Sequence, residues 1–253
     1  MRALENLNSY EDIFSERLTE AIKLHDEGVA GSASSAIEAN RLFEKLRVDY
    51  PTSPLVDAYY GSSMILVARD KTKPFEQLKW SDNGLKYLDK AVAEAPQISI
   101  IRLLRGKSAY QLPEKYFRRT QTAIEDYTAL IDQDILHQDL LNSDEYSQLI
   151  NELGEAYYRI GRNQDAANLW RRLESETKDP DLKQLYTIKL QLLKGKPAVE
   201  SITYENPASM LILATRAVGN ALIEWSDQEK KKKNKKTKSK KRKKRKNRKK
   251  HKY

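Results

Sequence analysis

Acid–base chemistry requires two titratable groups held within hydrogen-bond reach of a reacting atom, and this sequence offers few candidates for the task. Its three histidines are His25, His137 and His251, and no two have metal-ligand spacing. The adjacent acids Glu125 and Asp126, and again Asp144 and Glu145, have the types a general acid and base would need. Carboxylates at this density along helical sequence more often form a solvated face. Cysteine is absent, which excludes disulfides, thiolate nucleophiles and Cys-based zinc and iron–sulfur sites. No glycine-rich phosphate loop and no nucleophile elbow occurs. The expectation is a chain without catalytic residues, cofactor or metal.

Cation chemistry is another matter. Residues 230–253 hold 18 of the 46 Lys and Arg and no acid, whereas residues 1–229 hold 28 Lys and Arg against all 36 Asp and Glu. The net +10 is therefore the sum of a +18 tail and a body of −8. Candidate phosphate contacts are Lys230, Lys231, Lys232, Lys233, Lys235, Lys236, Lys238, Lys240, Lys241, Arg242, Lys243, Lys244, Arg245, Lys246, Arg248, Lys249, Lys250 and Lys252. Like charges at i and i+4 oppose a helix, and nothing apolar offsets chain entropy, so residues 229–253 are expected to be disordered. Such a segment binds polyphosphates by counterion release, with steep salt dependence and little sequence preference; RNA is the first expectation. Only Tyr253 could stack on a base. The tail could instead lie against the acidic body, and in a eukaryote the same clusters would read as a nuclear or nucleolar address.

The elements ahead of the tail follow from periodicity. Phe14, Leu18, Ile22 and His25 share one helical face; after a Gly28–Ser35 loop, Ala36, Ala39, Phe43 and Leu46 share another. Further stripes are Val56, Tyr60, Met64 and Val67; then Leu85, Leu88, Ala91, Val92 and Ala95; then Ile101, Leu104 and Ser108. Pro113 interrupts before Phe117, Thr120, Ile124, Tyr127 and Leu130, and the polar stretch Asp132–Asp144 reads as a loop that could be a binding insertion. A helical hairpin follows: Leu149, Leu153, Ala156, Tyr157 and Ile160 line one arm, and Ala166, Leu169, Trp170 and Leu173 the other. Gly161 is placed to take a left-handed turn and Asn163 to cap the second arm.

Pro51 and Pro96, and likewise Gly61 and Gly106, lie 45 residues apart, which points to duplication. The segment Leu153-Gly154-x-x-Tyr157, followed by Ala166, Trp170 and Leu173, resembles the tetratricopeptide repeat. Ala39, Phe43, Leu46 and Pro51 are similar to the second half of an earlier copy; Tyr60-Gly61 and Met64 with Gly84, Leu88, Ala91 and Pro96 resemble a next one. Gly106 with Ala123, Tyr127 and Leu130 resembles a third. The middle copies are degenerate, carrying about a dozen extra residues around Asp70–Trp80 and Gln111–Arg119 relative to the family period of roughly 34.

The resemblance implies an all-α, right-handed solenoid of antiparallel helix pairs over residues 1–228, with a protein-binding groove lined by the first helix of each pair. Carried across, the groove positions are Leu55, Ala58, Ser62 and Ile65; Ile100, Leu103, Lys107 and Tyr110; Gln148, Asn151, Glu155 and Tyr158. Lys107, Tyr110, Asn151, Glu155 and Tyr158 are the expected partner contacts. Coverage of this groove by the final helices is the alternative. Asn206-Pro207 reads as a helix start, with Leu211, Ala214, Val218, Leu222 and Trp225 on one face. That helix either closes the core or, with the tail, anchors an adaptor to an anionic membrane surface. No stretch is long and apolar enough to span a bilayer, and the first residues show no apolar leader, so an intracellular, cytoplasmic location is expected. The sequence thus suggests a non-enzymatic scaffold that holds a protein and tethers it to RNA; a subunit of an enzyme complex is a third option.

Overall fold

The computed structural model describes residues 2–137 and 141–202, and the side chains of residues 14–134 and 141–202. These form ten helices and, among the described residues, no strand: α1 Arg2–Val29, α2 Ala33–Asp49, α3 Pro54–Arg69, α4 Pro74–Glu94, α5 Ser99–Gln111, α6 Glu114–Phe117, α7 Thr120–His137, α8 Ser143–Arg159, α9 Asn163–Glu176 and α10 Pro180–Leu192. The expected segment from Asn206 to Trp225, the basic residues from Lys230 onward and His251 lie outside the described residues.

Local chemistry starts four of these helices. The Ser32 and Ser53 hydroxyls accept from the amides of Ser35 and Val56, and Asp179 accepts from those of Asp181 and Leu182. Asn142 and Glu145 complete a reciprocal capping box at the head of α8. Each such bond satisfies an amide that the first turn cannot pair. At the other end of α8, Gly161 takes φ +77°, as its place in the hairpin required.

Helices that follow one another pack on one another. α1 packs on α2, α3 on α4, α5 on α7 and α8 on α9, while α2 meets α3, α3 and α4 meet α5, α7 meets α8, and α9 meets α10. The apolar stripes become three clusters: Phe43, Leu88 and Ile101 with their neighbours from α1 to α5; Tyr127, Leu149 and Leu153 from α5 to α8; Trp170, Leu173 and Tyr186 from α8 to α10. Glycine lies where helices cross most closely. A Cβ on Gly61 would fall 2.5 Å from the Gly84 carbonyl oxygen, one on Gly106 2.8 Å from the Tyr127 ring, and one on Gly154 2.5 Å from Trp170 Nε1.

Several boundaries differ from the sequence reading. α7 continues through Asp132 to His137 and α8 begins at Ser143, so the expected Asp132–Asp144 loop is mostly helix. Asp132, Gln133 and Asp134 sit on α7 rather than in a loop, with Gln133 Oε1 accepting from Ser99 Oγ at 2.9 Å. The Gly28–Ser35 loop shrinks to Ala30–Ser32, because the Ser32 cap starts α2 early. Asn163 is the first residue of α9 rather than its cap; its side chain is buried and donates to the Pro197 carbonyl at 2.9 Å. Phe117 belongs to the short α6 and not to the α7 stripe, since Arg118, at φ 51°, turns the chain between them. The extra residues near Asp70–Trp80 are largely absorbed by two added turns of α4.

Candidate functional site

The expected partner contacts fall into two groups. On α5, Lys107 Nζ donates to Glu152 Oε1 at 2.7 Å, and Glu152 also accepts from Tyr127 Oη at 2.6 Å and Gln148 Nε2 at 2.9 Å. One turn along, the Tyr110 hydroxyl donates to Glu155 Oε2, and Lys189 Nζ from α10 reaches Glu155 Oε1 at 2.5 Å and Asn151 Oδ1 at 2.6 Å. Lys107 thus belongs to a polar cluster on Glu152, and Tyr110, Asn151 and Glu155 to a neighbouring one with Lys189, the two together joining α5, α7, α8 and α10. Tyr158 stands apart beside Trp170, at 6.1 Å between ring centroids, with Lys196 Nζ 5.1 Å from its own.

Electrostatics in this network favour the ion pairs. Burial would raise the Glu155 carboxyl, but the Lys189 ammonium, the Tyr110 hydroxyl and the Arg159 charge outweigh it and leave the group below its ordinary value. Burial pushes the Tyr110 phenol up, reinforced by the Glu155 charge. The Arg159 guanidinium lies 4.2 Å from the centre of the Tyr110 ring and donates to that residue's carbonyl. Every polar tip in the network faces a protein partner. Of the remaining carried-over groove positions, Ala58 and Ser62 are buried, and Leu55, Ile65, Ile100 and Leu103 are half-buried.

Similar carboxylates bind the earlier pairs together. Asp57 on α3 accepts from Arg47 of α2 and from Lys90 of α4, the latter at 2.9 Å. Asp126 on α7, fully buried, accepts from Arg105 at 2.7 and 2.8 Å and from Arg102 at 3.1 Å, both on α5. Asp89 on α4 receives Arg119 at 2.7 Å and Arg105 at 3.5 Å. Asp126, considered from sequence as half of an acid–base pair, thus has both oxygens engaged by guanidinium groups, whereas its neighbour Glu125 is exposed. Sequence inspection missed Asp57, Asp126 and Lys189 as packing elements. A usable signal existed for Asp126, which lies three residues after Ala123 and four before Leu130 and so falls on the apolar face.

One arrangement has the composition of a hydrolytic triad. His25 Nε2 lies 2.8 Å from Ser62 Oγ, and Nδ1 lies 3.4 Å from Asp26 Oδ1. His25 is only 3% exposed and packs edge-on against Tyr59, while Ser62, 7% exposed, sits mid-way along α3 where neighbouring amides are spent inside the helix. No free amide is there to stabilise an oxyanion, so the pair serves as a polar link between α1 and α3. Among the described residues, no group of three or more His, Asp or Glu is arranged to hold a metal ion, and no helix is long and apolar enough to cross a membrane.

A cleft of about 400 Å³ opens between α9, α10 and residues 196–198, with Arg171, Thr187, Leu190 and Lys194 in its walls. Its third wall is a strap. The Glu200 amide donates to the Gly161 carbonyl at 2.8 Å and the Gln164 amide to the Ala198 carbonyl at 3.1 Å, fastening the chain after α10 onto the α8–α9 turn. Glu174 and Thr187 are hydrogen-bonded to each other at the wall. No residue of this cleft was foreseen as a site from sequence. Compared with known families, curated proteins and solved structures, the chain has no significant match.

Proposed function

We propose that this chain is a non-enzymatic scaffold: a tetratricopeptide-like array of helix pairs that holds a protein partner, with a basic tail that tethers the assembly to RNA. The observation that carries the reading is the charge partition, 18 cations without an acid in residues 230–253 against a body of −8. A body of that sign repels a polyanion that its own tail attracts, so affinity resides mainly in the tail and specificity comes from the protein held by the helices. Helix pairs in sequence order, with glycine at three close crossings, support the repeat reading. The half-buried apolar positions Leu55, Ile65, Ile100 and Leu103 are the part of the inferred groove with least internal polar bonding, and a partner there would be an apolar helix or peptide.

The test is a salt titration of RNA binding by the full chain and by the chain lacking residues 230–253. The tether reading requires a steep log–log salt dependence that collapses on deletion. Unchanged affinity and slope after deletion would refute it.

A further inference from the structure

We infer that the connection from α3 into α4 is a second nucleic-acid contact, a stacking platform for one unpaired base, built on Phe75 and flanked by lysine. The inference rests on the polyanion reading of the tail and adds a defined position to it. Phe75 is 78% exposed, more than any other large apolar residue among the described ones. Within residues 69–80, four cations, Arg69, Lys71, Lys73 and Lys79, stand against two acids, Asp70 and Glu76, a local exception to the acidic body.

The connection is held in place from both sides. Arg69 Nη1 donates to the Gly28 carbonyl at 2.9 Å and its Nη2 pairs with Asp70 Oδ2 at 2.9 Å; Gln77 Nε2 donates to the Lys71 carbonyl at 2.7 Å. Lys71 Nζ lies 4.9 Å from the centre of the Trp80 ring, so that indole is already engaged. Phe75 has no such cover. Lys73 is paired with Glu76 at 3.1 Å, while exposed Lys79, four residues after Phe75 and thus on its face of α4, has no carboxylate partner among the described residues. A solvent-facing ring at the head of α4, with an unpaired ammonium one turn away, matches what a base and its phosphate require. Base–aromatic stacking is tolerant of sequence, and the phosphate charge is met by the lysine. The tail has no aromatic residue before Tyr253, so Phe75 supplies a contact that the tail lacks.

The experiment uses the full chain, a fluorescent 12-nucleotide oligouridylate and a blunt RNA duplex, with affinity followed by anisotropy across a salt series. Phe75→Ala should weaken oligouridylate binding roughly 5- to 150-fold with an unchanged salt slope, because stacking releases no counterion. Duplex affinity should change far less, as only its two terminal base pairs offer a free face. Phe75→Trp should restore binding, and Lys79→Ala should lower the single-strand slope by about 0.7. Phe75 is solvent-exposed, and an unaltered far-UV circular dichroism spectrum will establish that the variants fold. Wild-type oligouridylate affinity in Phe75→Ala would overturn the inference and leave Phe75 to a protein contact; equal losses for single strand and duplex would overturn it as well. Deleting residues 230–253 is read separately: unchanged binding there refutes the tether, whereas the Phe75 comparison judges the platform alone.

Discussion

Gly61→Ala should destabilise the protein, although the same exchange in an ordinary helix interior stabilises it by about 1 kcal/mol. The added Cβ would lie 2.5 Å from the Gly84 carbonyl oxygen, 3.0 Å from Tyr87 Cβ and 3.1 Å from Leu88 Cγ. Carbon–oxygen contacts between packed helices settle at about 3.3 to 3.6 Å, so α3 and α4 must part by roughly 1 Å at their crossing. The Cβ position is fixed by the backbone and the facing atom is a backbone oxygen, so no rotamer change relieves the contact. Overpacking of a filled core costs about 1 to 3 kcal/mol, and contact with a helix backbone belongs in the upper part of that range. After the propensity gain, a net loss of about 1 to 2 kcal/mol remains. For a domain of this size that lowers Tm by roughly 2 to 8 °C. The assay is paired thermal and urea unfolding of the full chain, with Thr128→Ala on the exposed face of α7 as the propensity control, expected to stabilise by a few tenths of a kcal/mol. An unchanged or raised Tm in Gly61→Ala would refute the close crossing.

Asp126→Ala removes the carboxylate shared by Arg102 and Arg105 and leaves two guanidinium groups facing a buried void; breaking such a pair costs about 3 to 5 kcal/mol, read as a lower urea midpoint. Lys189→Met removes the cation that holds Glu155 below its ordinary value near 4.5. A carboxylate depressed in the folded state contributes stability that is present above its unfolded value and lost as pH falls through the folded one. With Lys189 gone that contribution disappears, so the variant should be less stable near neutral pH and should lose less stability on acidification through the carboxylate range; a stability–pH profile as steep as that of the wild type would show that Glu155 does not govern the acid limb.

The helical body was legible because its information is local. Stripes such as Ala36, Ala39, Phe43 and Leu46 sit at helical spacing and are buried as expected, and the Gly161 turn takes the positive φ that its position between two stripes demanded. The ionic network was not legible, because its partners are distant in sequence. Arg47 and Asp57 are 10 residues apart, Arg105 and Asp126 are 21, and Lys189 and Glu155 are 34. In a chain with 82 charged residues, no single Asp announces that it will be buried. Asn163 marks a second kind of failure. Its residue type suits a cap, but the tertiary demand of the strap carbonyl at Pro197 draws the side chain inward and moves the helix start by one residue.

The same network constrains where recognition can occur. Glu155 is held by Tyr110 and Lys189, Glu152 by Lys107 and Tyr127, and both are more than half buried. A partner that claimed Lys107, Tyr110, Asn151 or Glu155 would have to replace charged hydrogen bonds already made, each contributing about 1.5 to 3 kcal/mol, before gaining any affinity. Each carboxylate also joins helices of successive pairs: Asp57 links α2 to α3 and α4, Asp89 links α4 to α5 and to Arg119 beside α7, Glu152 links α5 and α7 to α8, and Glu155 links α5 and α8 to α10. They tie each helix to its neighbours, and loss of a partner at Asp57 or Glu152 would leave a buried charge short of a counter-charge. Groups with unspent chemistry lie elsewhere, on the exposed ring and ammonium of the α3–α4 connection, so substitutions there should alter binding while leaving the fold intact.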